Sequence, residues 1–157
     1  MTEVDGLRLA YRGLVSGLAG GYVWAAIAMT LSSLLHGDPL RPLRPLVALL
    51  VPDATRPELA FVIGLFAIQA GGALAGMCFA YFFGRFFTVR PTVAVAGPCF
   101  ALLVWAIVVG GGLVSGRGAE AALEPIIVAA TVGFGLLLGA AVPLRGEVAR
   151  YSGSPST

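Results

Sequence analysis

The uncharged stretch of residues 13–35 constrains the fold more than any other feature. It reads GLVSGLAGGYVWAAIAMTLSSLL. About 20 apolar residues in a helix cross the roughly 30 Å hydrocarbon core of a bilayer. The stretch is also longer than the apolar core of a signal peptide. We therefore predict an uncleaved transmembrane helix here.

Hydropathy predicts three further membrane spans. Only 11% of the 157 residues are charged, whereas soluble domains carry about 25%. The predicted spans are 13–35, 58–83, 92–114 and 125–144. We expect an all-α membrane protein, a four-transmembrane-helix bundle forming one integral membrane domain. Residues 36–57 are then a connector, and residues 145–157 are a polar tail.

The connector is rich in proline and arginine. Three prolines recur at three-residue spacing: Pro39, Pro42 and Pro45. This spacing predicts a polyproline II turn with Arg41 and Arg44 on one edge. The arginines could contact a partner or anionic lipid, or simply lie among headgroups beside a rigid connector. Residues 46–51 are apolar but too few to span, so they are expected to be interfacial or re-entrant.

Small residues mark one face of several spans. On a helical wheel, Gly13, Gly17 and Gly20 share a narrow sector with Trp24. Small side chains let helix backbones approach closely, which is how helices associate in lipid. The predicted packing residues are Gly13, Gly17, Gly20, Trp24, Gly72, Gly76, Ala101, Trp105, Gly135 and Gly139. We expect the small-residue face of the first span to be buried inside the protein.

The spans also suggest an internal repeat. Spans one and three align on Trp24 and Trp105, and spans two and four align on their Gly-x-x-x-Gly pairs. A duplicated two-helix hairpin would have its pseudo-two-fold axis along the membrane normal. Chance recurrence of small residues is the alternative. In the four-span topology, six of ten arginines share the side of the termini, which favours cytoplasmic termini in a cell (inner) membrane.

Candidate ligand contacts are few. Gln69 is the strongest buried polar side chain, suited either to helix packing or to ligand contact, and Phe79 and Phe83 lie near its face. His36, the only histidine, could be an axial ligand or a pH switch, or an interfacial residue without special duty. Arg85 lies in an aromatic cluster typical of an interfacial belt, where a quinone or pigment could also lie.

The sequence holds no recognisable catalytic or metal-binding pattern. There is no phosphate-binding loop, nucleophile elbow or metal-ligand cluster, so no catalytic residue, metal or cofactor is predicted. The net charge of +2 and the lack of a basic helix face argue against nucleic acid. No Asp, Glu, Lys, Arg or His side chain lies well inside a predicted span, although proton relays and ion-coupled carriers ordinarily need one.

The layout resembles a group of uncharacterised small bacterial and archaeal membrane proteins with four spans. The shared features are the first span (GLVSGLAGG), a proline-containing connector, glycine-spaced spans two and four, and LLVWAIV in span three. The resemblance covers most of residues 13–144. It implies the four-span fold and no known activity. Members of the group often carry histidine near the start of spans two and four, where this chain has Gln69 and no histidine.

Three functions are open at this point. The leading prediction is a non-catalytic accessory or scaffolding subunit of a larger membrane complex, such as a respiratory or photosynthetic one. It would use its glycine faces to bind other membrane subunits, lipids or a second copy. The second is a homo-oligomeric channel or carrier for a small solute, with Gln69 near the path. The third is a lipid-, quinone- or pigment-binding membrane subunit.

Overall fold

A computed structural model of the protein describes residues 3–51, 56–84, 86, 90–114 and 124–141. Every regular element within these residues is helical. The helices are α1 (Glu3–His36), a 3-10 turn (Arg41–Leu43), α2 (Arg44–Leu50), α3 (Pro57–Phe83), α4 (Arg90–Val114) and α5 (Pro125–Ala141). The predicted tail, residues 145–157, lies outside the described residues.

Three of these helices are long and apolar enough to cross a membrane. Their candidate spans are Gly6–His36, Phe61–Phe83 and Pro91–Gly110. Helix α5 is apolar but has 17 residues, a length of about 26 Å at 1.5 Å per residue. The structure thus confirms an all-helical protein with three helices able to span a membrane. The four-span bundle stays a prediction.

Helix α1 starts about three turns before residue 13, where the first span was predicted to begin. In this added segment Leu9 is buried, whereas Leu7, Arg8 and Arg12 are exposed. Leu9 lies beside Gly84, at the end of α3. Helix α1 begins before residue 13 because one apolar side chain per turn is enough to hold a helix against its neighbour.

Residues 41–50 of the proline-rich connector are helical, so the predicted polyproline II turn is wrong. Helix α1 ends at His36, and Gly37 follows with a φ of 69° and donates its N–H to the Ser33 carbonyl. The Asp38 carboxylate then accepts the N–H of Leu40 at 3.0 Å. Prolines occupy the first turns of the 3-10 turn and of α2, where a missing N–H costs nothing.

Helix α2 lies along the first half of α3. Leu43 and Val47 are buried against Gly64, where an added Cβ would lie 3.0 Å from the Leu43 Cβ. Glycine at this position therefore lets the short helix approach α3 closely. The connector also makes two partly exposed ion pairs: Arg44 with Asp38 at 2.7 Å, and Arg41 with Glu124 just before α5.

The main helices pack in the spatial order α3, α1, α5, α4. Helix α1 contacts both α3 and α5 extensively, and α4 packs mainly on α5. Helices α3 and α4 contact each other little, although they follow one another along the chain. We call the gap between them the α3–α4 seam.

Four glycines form the α1–α3 interface. A Cβ added at Gly17 would lie 2.1 Å from the Gly72 carbonyl oxygen, and one at Gly76 would lie 2.2 Å from the Gly13 carbonyl oxygen. Real Cβ atoms do not approach carbonyl oxygens so closely, because the atoms would overlap. The two backbones are therefore in direct contact along this face, as in small-residue interfaces of membrane helices.

The α4–α5 interface has the same character. A Cβ at Gly97 would lie 2.1 Å from the Gly135 carbonyl oxygen, and one at Gly135 would lie 2.5 Å from the Pro98 Cα. A Cβ at Gly139 would lie 2.5 Å from the Val93 carbonyl oxygen. Each half of the chain thus contains one glycine-mediated helix pair.

Candidate functional site

An apolar cavity of about 250 Å³ lies at the α3–α4 seam. Every helix contributes to its wall, and most of the side chains are small or aliphatic. The lining residues are Gly21 and Trp24 from α1, Leu46 and Leu50 from α2, Ala67, Ile68 and Gly71 from α3, Ala101, Val104, Trp105 and Val108 from α4, and Thr131 and Phe134 from α5. The cavity exists because α3 and α4 pack on other helices instead of on each other.

The two tryptophans of the chain form one wall of the cavity. Their ring centroids are 6.4 Å apart and the rings are tilted by 42°. Trp24 is 6% exposed. Its Nε1–H donates to the Thr131 Oγ1 at 3.1 Å, and that hydroxyl donates to the Ile127 carbonyl at 2.8 Å. This hydrogen bond connects α1 to α5 and leaves the indole N–H satisfied.

The Trp24–Thr131 hydrogen bond should contribute measurably to stability. Interhelical hydrogen bonds in membrane proteins are worth about 0.6 kcal/mol on average, with a maximum near 1.7. We expect Trp24→Phe and Thr131→Val to show a coupling energy of about 1 kcal/mol in a double-mutant cycle measured by unfolding in detergent. A coupling energy near zero would contradict the observed contact.

Aromatic side chains bring α3 and α4 together at one end of the seam. The ring centroids of Phe79 and Phe100 are 5.2 Å apart, and those of Phe83 and Phe100 are 5.6 Å apart. Phe79 is fully buried. Phe79 and Phe83, predicted as candidate ligand contacts, therefore pack between helices and lie outside the cavity lining.

The opposite end of the seam is bordered by α2. Leu46 and Leu50 line the cavity there, and the two ion pairs of the connector lie just before them in the chain. With aromatic contacts at one end and α2 at the other, the seam is bounded along its length. Access then runs sideways between α3 and α4.

Gln69 lies at the α1–α3 interface, behind the cavity. Its Oε1 would be 2.9 Å from a Cβ at Gly21, so the absence of that Cβ makes room for the amide. Both amide atoms are buried, and neither has a hydrogen-bond partner among the described residues. Gln69 is not part of the cavity lining, whereas its neighbours Ile68 and Gly21 are.

The remaining predicted residues lie at the ends of the helices. His36 is exposed at the end of α1 and is not part of the cavity lining. Arg41 and Arg44 pair with Glu124 and Asp38, while 44% and 68% of their side chains stay exposed. Arg85 lies outside the described residues. Within those residues, no group of three His, Cys, Asp or Glu side chains could hold a metal ion.

The predicted packing residues all lie on interior faces of the helices. The six glycines of spans one, two and four with Gly-x-x-x-Gly spacing form the two backbone contacts described above. A Cβ at Gly20 would lie 2.6 Å from the Phe134 ring, and Ala101 is buried. Trp24 and Trp105 meet across the cavity wall.

Sequence reasoning did not predict the cavity or most of the residues that line it. Leu46 and Leu50 were assigned only to a short apolar segment, and Thr131 was not among the predicted site residues. The available signal was the pair Ala67 and Gly71, two small residues four apart on one face of α3. This face cannot be distinguished from a packing face until the helix order is known.

Comparisons of the chain with protein-family models, with curated proteins and with solved structures found no match. The family resemblance drawn from the sequence therefore stays an expectation.

Proposed function

We propose that this protein is a non-catalytic membrane protein that binds a hydrophobic molecule of the bilayer at the α3–α4 seam. The observation that carries this proposal is the apolar cavity between two helices that are each able to span a membrane. Binding sites for small molecules are concave and mostly apolar, with a few polar groups. Here the lining hydroxyl and the Trp24 indole N–H bond to each other, so the site favours hydrocarbon over polar ligands.

The packing of the helices is also relevant to the two other predicted functions, an accessory subunit and a channel or carrier. The accessory-subunit prediction assumed surplus small-residue faces, but the predicted glycine pairs pack within the chain. A partner subunit would have to bind other surfaces, and that function stays an untested prediction. For the channel or carrier, Gln69 faces the α1–α3 interface instead of a polar path, so no observation favours it.

The membrane topology that we propose has four spans, with both termini on the cytoplasmic side of a cell membrane. The two glycine-mediated helix pairs support a duplicated hairpin. Gly17 contacts Gly72, and Pro98 contacts Gly135. In the alignment of the two halves, Gly17 is equivalent to Pro98 and Gly72 is equivalent to Gly135. The two contacts therefore join equivalent pairs of positions. The halves differ in one respect, since α1 packs on α5 whereas α4 hardly touches α3.

Retention of a bilayer molecule through purification tests the proposed function. The protein would be purified in mild detergent, and its organic extract would be analysed by mass spectrometry and absorption. We expect one class of hydrophobic molecule to be enriched over the detergent blank. Gly71→Leu should remove most of it, because a Cβ at Gly71 meets nothing within 4 Å and the larger side chain fills the cavity.

A matched control is Gly110→Leu. Gly110 also has open space around an added Cβ, but it does not line the cavity. This variant should retain the wild-type amount of bound molecule. Equal retention by Gly71→Leu and Gly110→Leu would place the molecule elsewhere on the protein surface and overturn the proposal.

A further inference from the structure

We infer that the two glycine-mediated helix pairs, α1–α3 and α4–α5, rock against each other as rigid bodies, so that the α3–α4 seam has an open and a closed state. The inference rests on the binding site and the duplicated hairpin proposed above, and it adds how access to that site is regulated. A molecule bound in the seam then holds the seam open, and its release lets α3 and α4 approach each other.

The duplicated hairpin makes the seam equivalent to the α1–α5 interface. A two-fold axis that exchanges α1 with α4 and α3 with α5 also exchanges these two interfaces. Residues on such an axis contact their own equivalents, and Trp24 and Trp105 do so, with ring centroids 6.4 Å apart. Four residues that line the cavity are equivalent to residues that join α1 to α5. The pairs are Ala101 and Gly20, Trp105 and Trp24, Ile68 and Thr131, and Gly71 and Phe134.

The α1–α5 interface is filled and hydrogen-bonded. A Cβ at Gly20 would lie 2.6 Å from the Phe134 ring, so this ring packs directly on the α1 backbone. The Trp24 indole donates to the Thr131 hydroxyl at 3.1 Å. Phe134, Trp24 and Thr131 are all buried. These contacts hold α1 and α5 together and make their interface the fixed side of the helix bundle.

The seam differs from that interface at the two α3 positions that would hold it together. Gly71 replaces Phe134, and a Cβ at Gly71 would meet nothing within 4 Å. Ile68 replaces Thr131 and offers no hydroxyl. Gly71 and Ala101 are also small enough for α3 and α4 to pack at the usual interaxial distance of about 8–10 Å. The width of the seam is therefore not fixed by these residues.

Each helix pair moves as one body because its backbones are in contact. The Gly17–Gly72 contact locks α1 to α3, and the Gly97–Gly135 contact locks α4 to α5. Helix α2 moves with α3, since Leu43 is buried against Gly64. Motion of one repeat against the other then changes the seam and leaves both glycine interfaces intact.

The aromatic end of the seam is the pivot. Phe100 of α4 contacts both Phe79 and Phe83 of α3 there. Near the α2 end, the Arg41–Glu124 ion pair joins the two bodies, with 44% and 20% of the side chains exposed. A partly exposed ion pair contributes little to stability. The seam therefore changes its width most at the α2 end.

Distances between spin labels test the rocking motion. The full-length protein would carry Cys78→Ser and Cys99→Ser, with labels attached at Phe66→Cys on α3 and Ile107→Cys on α4. Phe66 and Ile107 are 74% and 66% exposed and do not line the cavity, so labels there leave the seam unfilled. The native Cys78 and Cys99, which are exposed and adjoin Phe79 and Phe100 in sequence, provide the comparison pair at the pivot.

We expect two distances for the pair at positions 66 and 107 and a single distance for the native cysteine pair, measured by double electron–electron resonance in phosphatidylcholine vesicles. Washing the protein exhaustively with detergent before reconstitution should increase the population with the shorter distance. Adding Gly71→Phe should leave only the longer distance, because a ring then fills the seam as Phe134 fills the equivalent interface. Gly110→Phe, whose side chain lies outside the cavity lining, should leave both.

A single distance for the pair at positions 66 and 107, both before and after washing, would overturn the inference. Two distances that persist with Gly71→Phe would overturn it too. The failure of the proposed function is a separate result. If washing releases a hydrophobic molecule while the distance stays single, the binding site remains and the rocking motion is rejected. If two distances occur while the extract matches the detergent blank, the rocking motion remains and the proposed function is rejected.

Discussion

Replacing Gly17 with leucine should prevent α1 and α3 from packing, and it is expected to have the largest effect of any single substitution in the first half of the chain. A Cβ at this position would lie 2.1 Å from the Gly72 carbonyl oxygen and 3.1 Å from the Ala73 Cα. Both neighbours are backbone atoms, which cannot rotate away. Overpacking usually destabilises by about 1–3 kcal/mol. We expect a loss of about 3 kcal/mol or more, measured by denaturant unfolding in detergent.

The matched control for Gly17→Leu is Leu18→Ile at the next position. Leu18 is half-buried, and a volume-conserving exchange there should change stability by less than about 1.5 kcal/mol. Similar unfolding midpoints for the two variants would contradict the close approach of α1 and α3. A second check uses neighbours on α3, because Gly72→Ala should destabilise whereas Gly71→Ala should not.

Gly97→Leu should separate α4 from α5 in the same way. A Cβ at Gly97 would lie 2.1 Å from the Gly135 carbonyl oxygen and 2.8 Å from the Gly139 backbone nitrogen. The cost is again expected to be about 3 kcal/mol. Since α4 packs mainly on α5, this substitution should also release α4 from the rest of the protein, which limited proteolysis in detergent can detect.

Gly110→Leu provides the comparison on the same helix. Its added side chain meets no atom within 4 Å of the Cβ, and leucine has a higher helix propensity than glycine by about 0.8 kcal/mol. The variant should be at least as stable as the wild type. If Gly97→Leu resisted proteolysis as well as Gly110→Leu does, the glycine contact between α4 and α5 would be wrong.

The sequence was sufficient to predict which residues share a face, but not which faces meet. The spacing of Gly13 and Gly17, and of Gly72 and Gly76, follows from helical periodicity alone. That these two pairs contact each other depends on the order of the helices. The order of the helices also places α3 beside α1 and leaves the α3–α4 seam open. This order depends on contacts between residues far apart in the chain, which local sequence patterns do not predict.

In the connector, the proline spacing alone does not determine the backbone conformation, because the Asp38 side chain also contributes. Prolines at three-residue intervals suit polyproline II, but they equally suit the first turns of successive short helices. Asp38 decides between the two, because its carboxylate accepts the Leu40 N–H and pairs with Arg44. Those contacts turn the chain so that Leu46 and Leu50 reach the cavity. The proline spacing contains no information about this turn.

The cavity was not predictable for a related reason. Ala67, Gly71 and Ala101 are small residues of the kind that usually bring helices together. Here they line the space that α3 and α4 leave between them. Small residues thus mark both close helix contacts in this protein and the cavity at the α3–α4 seam, and only the three-dimensional arrangement distinguishes the two uses.

The most direct measurement of the central claim is the mass of the intact protein released from its native membrane into the gas phase. We expect the wild type and Gly110→Leu each to carry one additional hydrophobic molecule per chain, and Gly71→Leu to carry none. A wild-type protein that appears only at the mass of its own chain, under conditions that preserve the fold, would contradict the account. So would a Gly71→Leu variant that keeps the same adduct.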